Sequence, residues 1–261
     1  MLVDINAYVG HWPFKKLHYN TCGTLLNRMD QFGIGVSVIS NLNGIFYKNT
    51  QPANQELYEE IKSDSTFSTR FIPFAIINPI YAGWKYDFET SIHDMGMKGI
   101  RLYPKYHDYE LIDPACIELV NMCKDRGIPI AFSFRMVDAR QRSWLDIENE
   151  WKLEDIIPIL KEVPDAKYLL LNLCNSTRLN EAEEMILKKA NVLTDTGGRS
   201  VNAIKELLEK YGPEKFAFGS HTPILDHLTG LLRIESLWEE ETDEGTKEMM
   251  RSGNAKKMLG I

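Results

Sequence analysis

The chain opens on Leu2-Val3-Asp4-Ile5-Asn6-Ala7-Tyr8-Val9, in which apolar Val3, Ile5, Ala7 and Val9 alternate with Asp4, Asn6 and Tyr8. Period-two alternation is the pattern of a β-strand. A half-buried strand would turn its polar positions to water, but the elements that follow argue for burial on both faces. The polar row is therefore expected inside the protein, where each group needs a partner or a job.

Beyond it, short apolar runs and helical patterns take turns. Strands are expected over Val36–Asn41, Phe71–Ile77, Lys98–Pro104, Pro129–Arg135, Tyr168–Leu173, Val192–Thr196 and Phe216–Gly219. Helices are expected over Thr21–Phe32, Pro52–Ile61, Asp87–Met95, Pro114–Arg126, Leu153–Val163, Asn180–Lys189 and Val201–Tyr211. Gly33, Gly96 and Gly127 close three of these helices, and Pro52 and Pro114 open two. Short strands alternating with helices read as a parallel sheet covered by helices. Eight such units in a chain of 261 residues match a closed (β/α)8 TIM barrel. A doubly wound open sheet is the competing α/β architecture. It would usually carry a glycine-rich dinucleotide turn after the first strand, which Val9-Gly10-His11-Trp12-Pro13 does not resemble. No linker or composition break divides the chain, so residues 1–261 are read as one domain. The longest insertion, 136–152, carries Trp144 and Trp151 and is expected near the barrel mouth.

Composition narrows the classes of partner. A net charge of −7 and the lack of a Lys/Arg run argue against nucleic acid. No apolar run reaches the roughly 18 residues of a membrane span, and the first strand begins with no secretory pattern before it, so a cytoplasmic protein is expected. Self-association as a homo-oligomer stays open. Among the cysteines Cys22, Cys116, Cys123 and Cys174, the helical pair Cys116 and Cys123 would lie about 10 Å apart, too far to bridge. Reduced, buried thiols are the reading.

In a barrel, the strand C-termini line the site. Collected in order they are Asn6, Tyr8, Asn41, Asn78, Arg101, Tyr103, Ser133, Arg135, Asn172, Asn175, Asp195 and His221. Four stretches of the chain resemble the amidohydrolase superfamily, in its amidohydrolase-related branch with decarboxylases of the aminocarboxymuconate-semialdehyde type. Asp4-Ile5-Asn6-Ala7-Tyr8 sits where that family has D-x-H-x-H. Gly99-Ile100-Arg101-Leu102-Tyr103-Pro104 is similar to its G-[IV]-K-L-x-P, and Phe218-Gly219-Ser220-His221-Thr222-Pro223 to its F-G-S-D-x-P. The closing Gly253-Asn254-Ala255-Lys256-Lys257-Met258-Leu259-Gly260 matches G-N-A-x-x-L-L-G. The resemblance implies a divalent metal held by two first-strand histidines, histidines of the fifth and sixth strands and an eighth-strand aspartate. At those positions stand Asn6, Tyr8, Ser133, Asn172 and His221. Neutral amides and hydroxyls are poor ligands, so no metal and no other cofactor is expected.

The remaining groups have their own logic. Arg101 and Arg135 are placed as bidentate anion clamps, and Gly197-Gly198-Arg199-Ser200, with Arg199, as an anion cradle at a helix start, although that run is equally a turn and N-cap. Asn6, Tyr8, Tyr103, Ser133 and Asn172 are assigned to substrate hydroxyls or carbonyls. His221, with an ordinary pKa of about 6.5, is the acid–base candidate, and Asp195 is expected to orient it. The bland readings carry comparable weight. They make His221 a structural hydrogen-bonder and let Arg101 and Arg135 pair with Asp4 or Asp195. His11 and His18 become loop residues, and His93 and His107 surface ones. The expectation is an amidohydrolase-like hydrolase or lyase without a metal, acting on a small anionic or sugar-like substrate. The competing class is a non-catalytic protein that binds a ligand or partner at the same mouth.

Overall fold

The computed structural model describes residues 1–137, 142–147, 152–173, 179–198 and 201–261, with 201–203 described for their backbone alone. Eight strands run β1 Leu2–Val9, β2 Ile34–Asn41, β3 Phe71–Ile76, β4 Gly99–Leu102, β5 Ile130–Ser133, β6 Tyr168–Leu171, β7 Val192–Asp195 and β8 Phe216–Ala217. They follow one another in sequence order, each parallel to the next. The segment after β8 closes the sheet against β1. Ile5 donates to the Phe218 carbonyl (3.0 Å), His221 to that of Asn6 (2.7 Å) and Tyr8 to that of Thr222 (2.8 Å). The fold is a (β/α)8 TIM barrel.

The expected helices form, most with ends moved by a residue or so. Cys22–Gln31 is capped by Thr21 and Glu181–Lys189 by Asn180, each through a capping box. The expected helix Asp87–Met95 begins earlier, at Trp84, and relaxes into a wider turn from Thr90. Short helices over Ser65–Arg70 and Pro104–His107 were not visible in the pattern.

Apolar side chains fill two layers. Leu25, Met29, Leu57, Phe88 and Leu119 pack between the helices and the outer face of the sheet. Val3, Ile5, Val38, Phe74, Leu169 and Leu193 fill the lower barrel, floored by Ala255 and Met258 of helix Asn254–Leu259. Cys22, Cys116 and Cys123 are buried free thiols.

The first strand departs from simple alternation. Asp4 pairs with Ser37 and Ala7 with Ile39, three residues against two, so a bulge lies between them. Below it Val3 and Ile5 face the barrel interior; above it Ala7 and Val9 face the helices. Asn6 and Tyr8 thus point inward, while Asp4 turns toward the helix layer and His227. The expected single row of Asp4, Asn6 and Tyr8 is split by one extra residue.

Candidate active site

At the C-terminal end of the barrel the Asn6 side chain is the hub. Its Nδ2 donates to Asn172 Oδ1 (2.5 Å) and Asp195 Oδ2 (2.6 Å), and its Oδ1 accepts from Arg101 Nη2 (2.5 Å). The partners dictate this orientation, because a guanidinium offers only donors and a carboxylate only acceptors. Asn172 has a left-handed backbone (φ 62°), which asparagine tolerates better than most residues. That conformation lets its backbone N–H donate to both Asp195 oxygens (3.0 and 3.1 Å) while its Nδ2 donates to Tyr8 Oη (3.2 Å).

Arg101 is fully buried. From β4 its side chain crosses the barrel to β1, where Nη1 donates to the Ala7 carbonyl (3.2 Å) and the guanidinium lies 4.2 Å from the Tyr8 ring centroid. Among the described residues its Nε has no hydrogen-bond partner, and no carboxylate is within ion-pair distance. The expected pairing with Asp4 or Asp195 does not occur directly; the Asn6 amide stands between cation and anion.

Three hydroxyls gather beside it. Ser133 lies close enough to both tyrosines, and Tyr8 to Tyr103, to affect the ionisation of the phenols, yet among the described residues Tyr103 Oη and Ser133 Oγ have no well-formed hydrogen bond. Burial pushes both phenols above their ordinary range, so they stay neutral donors.

His221 adopts a left-handed backbone (φ 61°), costly for a residue with a Cβ and held here by its N–H bond to Asn6. Nε2 lies 2.6 Å from the Met136 carbonyl. A carbonyl only accepts, so the proton resides on Nε2, and Nδ1 presents a lone pair with no partner among the described residues. Burial pushes the imidazole down to about 4, the Met136 bond opposing and the Arg101 charge adding. The ring is neutral near pH 7. Asp195 does not orient it; that carboxylate holds Asn6 and Asn172.

Met136 closes the arrangement from above. Its sulfur accepts from Tyr8 Oη (3.7 Å) and Asn172 Nδ2 (3.9 Å), while its carbonyl takes His221. The expected cap, Trp144, is 89% exposed, and Trp151 lies outside the described residues. An aromatic rim of Trp12, Phe14, Phe46 and Tyr106 packs edge to face at the same end.

Behind β1, Asp4 accepts from the backbone N–H groups of Asn6 (3.0 Å) and Ser220 (2.9 Å) and from Ser220 Oγ (2.5 Å). His227 Nε2 lies 3.8 Å from Asp4, and neither nitrogen of that buried ring has a hydrogen-bond partner among the described residues. Burial lifts the Asp4 carboxyl to about 7 and pushes His227 down to about 4.

The amidohydrolase family model matches residues 44–261. The chain belongs to the amidohydrolase family. No curated protein matches this chain significantly. Solved structures do. A 2,6-dihydroxybenzoate decarboxylase from Rhizobium is 12% identical with a TM-score of 0.74, over 99% of this chain and 98% of that one. A 5-carboxyvanillate decarboxylase from Sphingomonas paucimobilis is 15% identical with a TM-score of 0.74, over 100% and 99%. A 4-oxalomesaconate hydratase from Rhodopseudomonas palustris is 14% identical with a TM-score of 0.68, over 100% and 96%. At these identities the likeness is one of fold.

The divalent metal that the family resemblance implies can be tested against the groups present. The Asn6 oxygen is committed to a guanidinium and Asp195 to two N–H donors, which leaves His221 Nδ1 as the free strong donor of the hub. Among the described residues no three His, Cys, Asp or Glu side chains are placed to hold an ion. Two unit charges about 4 Å apart interact by about 4 kcal/mol at an effective dielectric of about 20, and a dication doubles that. An ion at Asn6 would meet this repulsion from Arg101. The residues do not fit the metal.

The structure thus brings together Asn6, Tyr8, Arg101, Tyr103, Ser133, Asn172, Asp195 and His221. Arg135 lies beyond the end of β5, half-buried. Arg199 and Asn175 fall outside the described residues. Asn41 and Asn78 serve their own loops, bonding the Ala53 and Lys48 carbonyls. His107, expected at the surface, is buried against the Gly44 carbonyl (3.1 Å) because the helix Pro104–His107 turns it inward. Met136, the Ala7 carbonyl and His227 were missed. The carbonyls belong to backbone, and Met136 and His227 lie outside the strand ends from which candidates were collected.

Proposed function

We propose that this mouth binds a small carboxylate and performs lyase chemistry on it, of the decarboxylating type, without a divalent metal. One observation carries the reading: a fully buried guanidinium with an unpartnered Nε and no direct counter-ion among the described residues. A buried cation is costly unless an anion comes to it, and planar Arg suits carboxylate geometry. Tyr103 Oη and Ser133 Oγ supply further unspent donors in the same chamber. Both decarboxylases of similar fold are named for carboxylate substrates.

The roles follow from the atoms. Arg101 Nε and the hydroxyls hold the carboxylate. His221 Nδ1, an unprotonated nitrogen in a buried site, accepts a hydrogen bond or a proton from a substrate hydroxyl. Its imidazolium, once formed, is a strong acid able to return that proton to carbon as CO2 leaves. Asp195 acts through Asn6 and Asn172 as a positioning residue. Arg135 and Arg199 remain candidates for a second anionic group.

A second reading is favoured by Met136, whose sulfur and carbonyl occupy Tyr8, Asn172 and His221. A mouth so sealed suits a protein that binds without turning over. The two separate in one experiment, in which chelator-treated protein is incubated with a panel of hydroxylated aromatic and aliphatic carboxylates. Loss of the carboxyl group is followed by NMR, and binding by calorimetry. Turnover that survives chelation and falls at least about 100-fold in Arg101→Met, roughly the loss of one charge-assisted contact, is expected. Saturable binding without turnover establishes the second reading, and turnover that requires added metal removes the first.

A further inference from the structure

We infer that the Arg101 guanidinium is the resident cation of this barrel, standing where the family motif implies a divalent ion. The guanidinium shares the mouth with the reading above, but its role as resident cation needs no substrate to test.

Arg101 pairs with Ile76 on one side and Ala131 on the other, so it starts from the wall three strands away from β1. Its side chain nevertheless reaches Asn6 and Ala7 of β1. The guanidinium therefore lies across the barrel interior, against the first two positions that the family motif assigns to a metal, Asn6 and Tyr8.

Its surroundings are those of a bound cation. An amide oxygen (2.5 Å), a backbone carbonyl (3.2 Å) and the π face of Tyr8 (4.2 Å) surround the charge. All three are neutral, electron-rich groups, suited to a planar monocation. A dication would want anionic or imidazole ligands.

The hub holds the Arg101 cation and the Asp195 carboxylate, joined by an Asn6 amide whose oxygen faces the cation and whose nitrogen faces the anion. The other positions matched to metal ligands, Tyr8, Ser133, Asn172 and His221, add hydroxyl, amide and imidazole groups. The β4 position is basic in the family pattern too, a lysine there and Arg101 here, so what distinguishes this chain is a planar guanidinium that reaches the amide and phenol standing in place of the first-strand histidines.

The test reads metal and stability. Wild-type protein purified without chelator, then dialysed with Zn2+ or Mn2+, is expected to hold no stoichiometric ion and to melt at an unchanged temperature. Arg101→Ala is expected to melt lower and to recover part of the loss with dilute methylguanidinium chloride, not with equal sodium chloride. A charge removed merely from packing would not respond to that cation. Should Arg101→Ala fail to fold, Arg101→Lys replaces it. The ammonium cannot serve both oxygens and the ring at once, so a lowered melting temperature is expected. One equivalent of Zn2+ or Mn2+ held by wild type and lost in Asn6→Ala overturns the inference. So does an Arg101→Ala protein that melts like wild type, or one that methylguanidinium leaves unchanged, or an Arg101→Lys protein that melts like wild type.

Discussion

The buried histidines give the molecule a pH dependence that can be read residue by residue. Burial pushes His107, His221 and His227 from an ordinary 6.5 down to about 4. Each is neutral in the fold at a pH where the unfolded chain already binds a proton, so each contributes stability that is present above 6.5 and lost as pH falls toward 4. Asp4 works in the opposite sense. Its carboxyl is lifted from 3.8 to about 7, so its contribution is complete below 3.8 and lost as pH rises through 7. Between pH 4 and 6.5 three groups oppose one, and stability is expected to climb with pH. Replacing His227 with Gln should flatten that climb by about 3 kcal/mol at full extent, measured as the difference between urea-unfolding curves of variant and wild type across this range. An equal dependence in both proteins would mean that His227 does not change its proton on unfolding. At this scale the sequence was legible where a side chain at a strand end joins the hub, as with Asn6, Arg101, Asn172 and Asp195. It was not legible for His227, which follows the last strand on a helix and comes to Asp4 only through the β1 bulge. Nor did it show that Asp195 would be taken by Asn6 and Asn172 before it could reach His221.

At the scale of elements, the bulge in β1 and the segment after β5 decide what the mouth looks like. Alternation along Val3 to Val9 correctly announced a strand, but alternation says nothing of an extra residue, and one extra residue moves Asp4 to the other face from Asn6 and Tyr8. The segment after β5 was legible as an insertion and its tryptophans drew the eye. The group that enters the site is instead Met136, through a sulfur and a carbonyl. Met136→Gly removes the sulfur and leaves a carbonyl on a looser backbone. The expectation is a mouth that opens more readily, with about ten-fold tighter binding of a carboxylate probe if closure normally costs about 1.4 kcal/mol. Calorimetry on the two proteins checks it. Unchanged affinity would show that Met136 leaves the site without cost, and weaker affinity would make its sulfur part of the binding surface.

For the whole molecule, the question is what closes a barrel whose last strand is only two residues long. The eight-fold alternation of strands and helices and the motifs at both ends of the chain made the architecture legible, because each unit buries an apolar strand under an apolar helix face. The closure was not, since it depends on backbone bonds from β1 to Phe218 and Thr222 and on one carboxylate that staples them. Asp4 gathers two backbone N–H groups and the Ser220 hydroxyl, and the Ser220 oxygen in turn accepts from Thr222 N–H (3.0 Å). The staple thereby sets the positions of Asn6 and His221, which flank it on β1 and on the segment after β8. Asp4→Ala leaves those donors buried without an acceptor and should cost about 3 kcal/mol. Asp4→Asn keeps an oxygen for the two backbone donors and lets Ser220 reverse its hydroxyl to accept, at a cost of about 1 kcal/mol. Urea unfolding separates the two. If the alanine and asparagine variants lose the same stability, charge rather than hydrogen bonding holds the barrel shut. If neither loses any, the backbone pairs alone suffice, and the placement of Asn6 and His221 needs no help from Asp4.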